Sequence, residues 1–258
     1  MPNNKRFRIN ITSNLKIFIT CCEFGFAFMN LLKGKRWIFL LFIFIINCKD
    51  SNFNFKPTEI EKSDSSNFID INLDENSTNI GRAIWQKPGL VIQKLGDVSD
   101  KVIADLGTGT GYFSFKLALQ AKKVIAIDIE PTLLKYIDST KVKLPVDKRH
   151  RIETRLAQSD NPNLQPEEAD IVLIINTIAY IMDLPSYFQI LKKGMKKGGQ
   201  IMIIDYKMKR LPINAPPKSE RIYLDKLEEM LIEAGYKVTE TDDTSLDYQY
   251  IIKAEKID

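Results

Sequence analysis

The chain has 258 residues, 44% of them hydrophobic, a formal net charge of +4 and a single histidine, His150. Its length suits one large domain or two small ones, with apolar content enough for a sizeable core. One histidine argues against a histidine-built zinc cluster or catalytic triad, and the modest, mixed charge argues against nucleic acid as a partner. The three cysteines, Cys21, Cys22 and Cys48, all lie near the N-terminus, so the body of the chain has neither disulfide nor thiolate ligand.

Residues 1–48 read as an N-terminal extension with a hydrophobic signal or anchor. Lys33, Lys35 and Arg36 precede an apolar run from Trp37 to Ile46, which ends at Asn47-Cys48. A helix of that length rises about 15 Å, roughly half a hydrocarbon core, so it fits the apolar part of a secretory signal better than a membrane span. Read from Met29, the order of basic residues, apolar core and Cys48 is that of a bacterial lipoprotein signal. This predicts a membrane-associated protein, lipid-anchored at Cys48, whose translation starts at Met29. Asn47 departs from the small residue usual before such a cysteine, and a cytoplasmic protein is the alternative. Residues 49–80, rich in Asn, Asp and Ser, read as a low-complexity linker.

From residue 81 onward strands and helices alternate. "KVIADL" (101–106) predicts a buried strand, "GYFSFKLALQA" (111–121) a helix, "KVIAIDI" (123–129) a strand, and "PTLLKYIDS" (131–139) a helix with Pro131 in its first turn. Strands follow at 151–157 and 170–176, the second apolar throughout and so covered on both faces. A helix over 185–195 leads through Gly198-Gly199 to a strand at 200–206. Lys192, Lys193, Lys196 and Lys197 read as a solvated face near that helix end, and His150 as a surface residue. Residues 219–235 predict an amphipathic helix with Leu224, Leu227 and Leu231 on one face. Strands at 236–241 and 248–255 close the chain as a hairpin. The expectation is an α/β, Rossmann-like, mainly parallel seven-strand sheet with helices on both faces and a C-terminal antiparallel hairpin.

"ADLGTGTGYF" (104–113) sits where a strand hands over to a helix, the place where open parallel sheets bind ligands. Its spacing is Gly-x-Gly-x-Gly, not the Gly-x-Gly-x-x-Gly of dinucleotide folds. Asp105, two residues ahead of Gly107, would repel a pyrophosphate and attract an ammonium group. Asp128, at the end of the next strand, can accept hydrogen bonds from both hydroxyls of a ribose. A nucleoside carrying an amino acid meets both demands. On these residues, over 81–258, the chain resembles the class I S-adenosylmethionine-dependent methyltransferases.

The resemblance implies S-adenosylmethionine as cofactor. It lays the methionine part over Asp105, Gly107, Thr108, Gly109 and Gly111, the ribose on Asp128 beside Ile129, and the adenine amino group on Asp160 or Asn161. The loop Asn176–Tyr180 would border methyl donor and acceptor. The methyl acceptor is unidentified; a small molecule or lipid-like compound is expected, and "NTIAY" lacks the Asn/Asp-Pro-Pro-Tyr pattern of amino-group methylation in nucleic acids. More narrowly, "WQKP" (85–88), "DYK" (205–207) and "YQY" (248–250) are similar to those of a bacterial subgroup whose members carry Asp and paired histidines after the fourth strand. Here Asn176 and Ala179-Tyr180 stand in those places, so no histidine serves as base. Asp205, Tyr180 and Tyr206 are the remaining candidates for a base, and none is assigned. A non-catalytic S-adenosylmethionine-binding module and, more distantly, a nicotinamide oxidoreductase are the alternative readings. Trp85 is expected to pack as a lid over the sheet edge.

Overall fold

The computed structural model describes Asn79 and residues 81–257, so the readings of residues 1–48, of Cys48 and of most of the linker lie outside the described residues. Two short helices, α1 (Arg82–Trp85) and α2 (Pro88–Lys94), open the domain. Then come β1 (Val102–Leu106), α3 (Tyr112–Ala118), β2 (Lys123–Asp128), α4 (Pro131–Thr140), β3 (Ile152–Leu156) and β4 (Ala169–Ile175). The chain continues through α5 (Leu184–Gly194), β5 (Met195–Tyr206), α6 (Leu224–Glu233), β6 (Tyr236–Asp242) and β7 (Gln249–Lys256). Among the described residues no helix is long and apolar enough to cross a membrane.

The strands form one sheet in the order β3-β2-β1-β4-β5-β7-β6. β3, β2, β1, β4 and β5 pair in parallel, and β7 inserts antiparallel between β5 and β6. The order reverses between β1 and β4, which opens a crevice at the C-terminal ends of those strands. The expected mainly parallel sheet with a closing hairpin is what forms.

Period-two alternation distributes each strand between two cores. In β4, Ile171, Leu173 and Ile175 join the core built with α2, α3 and α4, through residues such as Val91, Phe115 and Ile137. Val172 and Ile174 join the opposite core, under Phe188 and Leu191 of α5 and Leu227 and Leu231 of α6. Each such side chain contributes about 1.5–3 kcal/mol by burial. With both faces covered, the ends of the central strands are left as the place for a ligand.

Several boundaries differ from the sequence reading, each for a local reason. α1 and α2 are too short to show apolar periodicity. β5 starts five residues earlier than the expected position 200, because the strand carries a bulge: Ala169 pairs with Met195, yet Ile171 pairs with Gln200. Lys196 and Lys197 therefore lie in a strand, not at a helix end. Lys196 is ion-paired to Asp170 at 2.8 Å, and Lys192 donates to the Gly235 carbonyl at 2.8 Å, so neither is merely solvated. α6 begins at Leu224 rather than 219. Arg221 holds the preceding loop extended by donating to the carbonyls of Pro216 (2.7 Å), Lys207 (2.9 Å) and Lys209 (2.9 Å). His150 is exposed, as expected.

Candidate active site

Two carboxylates at neighbouring strand ends build the site. Asp105, second from the end of β1, is 3% exposed and accepts from the hydroxyls of Ser114 (2.7 Å) and Thr108 (3.0 Å). Burial pushes its carboxyl above the usual range, and those two hydrogen bonds act against the shift. Asp128, the last residue of β2, accepts the Gly109 amide at 2.8 Å and the Glu130 amide at 3.0 Å, one on each oxygen. Each oxygen keeps a lone pair for a further donor.

The loop between β1 and α3 takes its shape from three glycines in the left-handed region, which other residues rarely enter. At Gly107 (φ 72°) a Cβ would lie 2.1 Å from Thr177 Oγ1, and at Gly111 (φ 80°) 2.9 Å from the Phe115 ring. These two glycines are required by protein neighbours. Gly109 (φ 58°) is different, because a Cβ there would meet nothing within 4 Å. The space in front of it belongs to the cleft.

The cleft has two compartments that share Gly107 and Thr177. The first, of about 250 Å³, is lined by Asp105, Thr108, Gly109, Thr110 and Asn176, together with Arg82 and Asn79. Arg82 brings a positive charge, its guanidinium 4.4 Å from the Tyr112 ring centroid. The second, of about 260 Å³, is lined by Asp128 and an apolar wall that includes Leu106, Ile129, Ala157 and Tyr180. Ile129 and Tyr180 are each 63% exposed, a cost in water that a flat aromatic ligand would relieve. Both compartments are small-molecule sized.

Of the residues expected to touch the cofactor, Asp105, Gly107, Thr108, Gly109, Asp128, Ile129 and Asn176 line this cleft, and Gly111 shapes its loop. Asp160 and Asn161 line neither compartment. Asp160 borders a neighbouring pocket with Met182 and Asp183. The Asn161 side chain accepts from the Asn163 amide at 2.8 Å, closing its own turn. Gln158 and Ser159 line the compartment of Asp128 instead. Sequence reasoning also missed Ser114, Arg82 and Asn79, while Thr177 lies in the loop it expected at the site. The hydroxyls at 108 and 114 around a glycine loop were a readable signal for the first, but the others depend on long-range approach.

The three short segments noted above converge beside Asn176. Trp85 packs on Tyr206, ring centroids 6.2 Å apart, so it covers the end of β5, an inner strand between β4 and β7, and not the expected sheet edge. Burial lifts the Tyr206 hydroxyl to about 12, which disfavours it as a base near neutral pH. Asp205 is 2% exposed; its Oδ1 accepts the Tyr206 amide and its Oδ2 has no hydrogen-bond partner. Burial raises its carboxyl from 3.8 to about 6. Asp205 lines neither compartment.

A mainly parallel sheet with this strand order, a glycine loop at its switch point and an acid at the end of β2 suit a protein that binds a nucleoside-type cofactor. The family of methyltransferase domains matches residues 97–254, and the chain belongs to it. Its cofactor is S-adenosylmethionine. A solved S-adenosylmethionine-dependent methyltransferase from Aquifex aeolicus superposes with a TM-score of 0.63 at 21% identity, over 68% of this chain and 93% of that one. The chain is 28% identical over 108 residues to a tRNA U34 carboxymethyltransferase of Campylobacter fetus, covering 42% of this chain and 37% of that protein. It is 31% identical over 99 residues to a ribosomal RNA small subunit methyltransferase A of Koribacter versatilis, covering 35% of each. The chain thus spans little more than a third of the length of these two relatives.

Three outcomes test this geometry. Gly109→Val puts a β-branched side chain into the open space at positive φ, so calorimetry should show cofactor binding lost while the thermal melt stays cooperative. Asp128→Ala should weaken cofactor binding by about 1–3 kcal/mol, because the ribose hydroxyls lose their acceptor. Asp205→Asn bears on stability. The folded protein holds a proton on Asp205 that the unfolded chain releases, so this contribution is full below the unfolded value of 3.8 and is lost as pH rises through about 6. The variant should therefore be more stable than the parent at pH 8 by about 2–3 kcal/mol, the gap closing near pH 4, as read by denaturant titration.

Proposed function

We propose that this protein transfers the methyl group of S-adenosylmethionine to a small-molecule or lipid-like acceptor, at a membrane to which its N-terminal segment attaches it. The observation that carries the reading is the cleft itself. The open face of Gly109, the Asp128 carboxylate and the apolar wall from Ile129 to Tyr180 together fit an amino-acid-bearing nucleoside.

Bound there, the cofactor supplies a methyl group already activated by a sulfonium. What remains for the chain is to orient and to exclude water. Asp105, fixed by Ser114 and Thr108, sets negative charge where an ammonium would lie. Arg82 and the Thr110 hydroxyl supply positive charge and a donor for a carboxylate. Asp128 takes the ribose, and Ile129 with Tyr180 cover the base.

The lipid-like acceptor is supported by large apolar side chains exposed on the surface, of which Tyr180 lines the cleft. Met182 is 98% exposed, Ile84 82% and Tyr180 63%. Ile84 neighbours Trp85, which covers the end of β5, and Tyr180 lines the adenosine compartment. The competing reading is an RNA acceptor, since two partly matching relatives are named for tRNA and ribosomal RNA.

The test incubates full-length protein and methyl-labelled cofactor with separate lipid, small-metabolite and RNA fractions of the source cells. Label is expected in the lipid or small-metabolite fraction; label confined to RNA would overturn the acceptor class. In cells, a palmitate analogue should mark the native protein and not Cys48→Ala, and lipid-free protein would remove the anchor.

A further inference from the structure

The segment that joins β5 to α6 concentrates charge that the rest of the sequence disperses. Residues 207–221 read "KMKRLPINAPPKSER". Lys207, Lys209, Arg210, Lys218 and Arg221 are cationic and only Glu220 is anionic, a net charge of +4 that equals the formal net charge of the whole chain. Everything outside this loop therefore balances to zero.

The loop is held in shape by its own last residue. Arg221 donates to the Pro216 carbonyl at 2.7 Å and to the carbonyls of Lys207 and Lys209 at 2.9 Å, so the two ends meet on one guanidinium. Lys207 Nζ donates to the Leu246 carbonyl at 2.6 Å. These partners are neutral, and they satisfy the donors without cancelling the charge. Lys209, Arg210 and Lys218 are exposed, and among the described residues no ion pair engages them. The acids that act on Lys207 are Asp243, Asp247 and Asp242; of these Asp247 is paired with Lys87 at 3.5 Å and Asp242 with Lys94 at 2.7 Å.

The loop leaves the sheet beside the cleft. Tyr206, the last residue of β5, stands within electrostatic reach of Arg82, Tyr180 and Arg221. Arg82 lines the first compartment and Tyr180 the second, while Arg221 pins the loop. Exposed apolar groups flank it on both sides. Ile84, 82% exposed, precedes the Trp85 that packs on Tyr206, and Tyr223, 62% exposed, follows Arg221 by two residues. Met208, Leu211 and Ile213 are half-buried and alternate with the cations along the loop.

We propose that residues 207–221 form a docking surface for an anionic lipid membrane, which brings the cleft end of the sheet to the headgroups. The inference rests on the membrane reading and deepens it by naming the face that meets the bilayer. Clustered Lys and Arg are drawn to the negative surface of such a membrane, and apolar side chains among them enter the headgroup boundary. An amphipathic tyrosine suits that depth. RNA phosphates would attract the same cations, but the loop has no aromatic side chain on which a base could stack. Because Arg221 already closes the loop, little order has to be gained on docking.

The test follows full-length protein by sedimentation with two kinds of vesicle, one of phosphatidylcholine and one of equal parts phosphatidylcholine and phosphatidylglycerol. The apolar N-terminal segment partitions into both, so neutral vesicles report the anchor and the surplus on anionic vesicles reports the loop. The triple variant Lys209→Glu, Arg210→Glu, Lys218→Glu should lose at least about tenfold in affinity for anionic vesicles and keep its binding to neutral ones. Lys122→Glu, Lys143→Glu, Lys193→Glu makes a like change at exposed lysines that precede β2, β3 and β5, and should retain the surplus. The surplus should also shrink as salt rises, because exposed charges are screened. Hydrogen exchange should slow in peptides from residues 207–221 on adding anionic vesicles and not on adding neutral ones.

No anionic surplus, a surplus that the loop variant keeps, or one that both variants lose equally would overturn the proposal. Slowed exchange in the loop with a single-stranded RNA of mixed sequence, and none with anionic vesicles, would assign it to RNA and overturn the proposal as well. An anionic surplus in a protein that ignores neutral vesicles would remove the anchor and uphold the docking surface. No arm involves methyl transfer, so failure here is distinct from failure of the acceptor class.

Discussion

One contact organises the ligand-binding end of this molecule: the Asp128 carboxylate at the end of β2 accepting the Gly109 amide from the loop after β1. It joins two adjacent strand ends through a group that also lines the cleft. Because a carboxylate oxygen has more than one acceptor direction, it can hold the loop and remain available. The opposite side of the loop is fixed by Asp105, whose buried carboxyl is held by two hydroxyl donors, Ser114 and Thr108. Between these two anchors Gly109 is left facing open space.

The sheet makes this arrangement rigid. Asp105 and Ala126 are register partners across β1 and β2, and Leu173 faces Asp105 from β4. Each of these strands is packed on both faces, so the strand ends cannot shift independently. The positive-φ positions at 107 and 111 are held by neighbours that leave no room for a side chain.

The antiparallel β7 has a second consequence. It carries Gln249 to Gln86, so that side-chain hydrogen bonds run from Arg82 of α1 to Asn176 after β4. Methyltransferases that share a cofactor-binding half can differ in the acceptor side while the sheet stays the same, since function lies in sites grafted on folds.

The local pattern of the chain was enough for the strand–helix alternation, the glycine loop, and the pairing of Asp105 with Asp128. Hydrophobic periodicity and glycine spacing are short-range signals that survive without a fold. It was not enough for the bulge that lengthens β5, nor for the late start of α6, since a paired strand and three carbonyls bound by Arg221 decide those. "WQKP" and "YQY" were recognisable as segments, yet their meaning was not. Gln86 and Gln249 stand 163 residues apart, and only folding brings their amides within hydrogen-bond distance. Likewise Asn161 carried the composition of a ligand residue, but its side chain is used by its own turn, leaving Gln158 and Ser159 to face the cleft. Residue type and spacing determined what cofactor this protein can hold. Which way its buried amides point was decided by contacts that exist only in the folded chain.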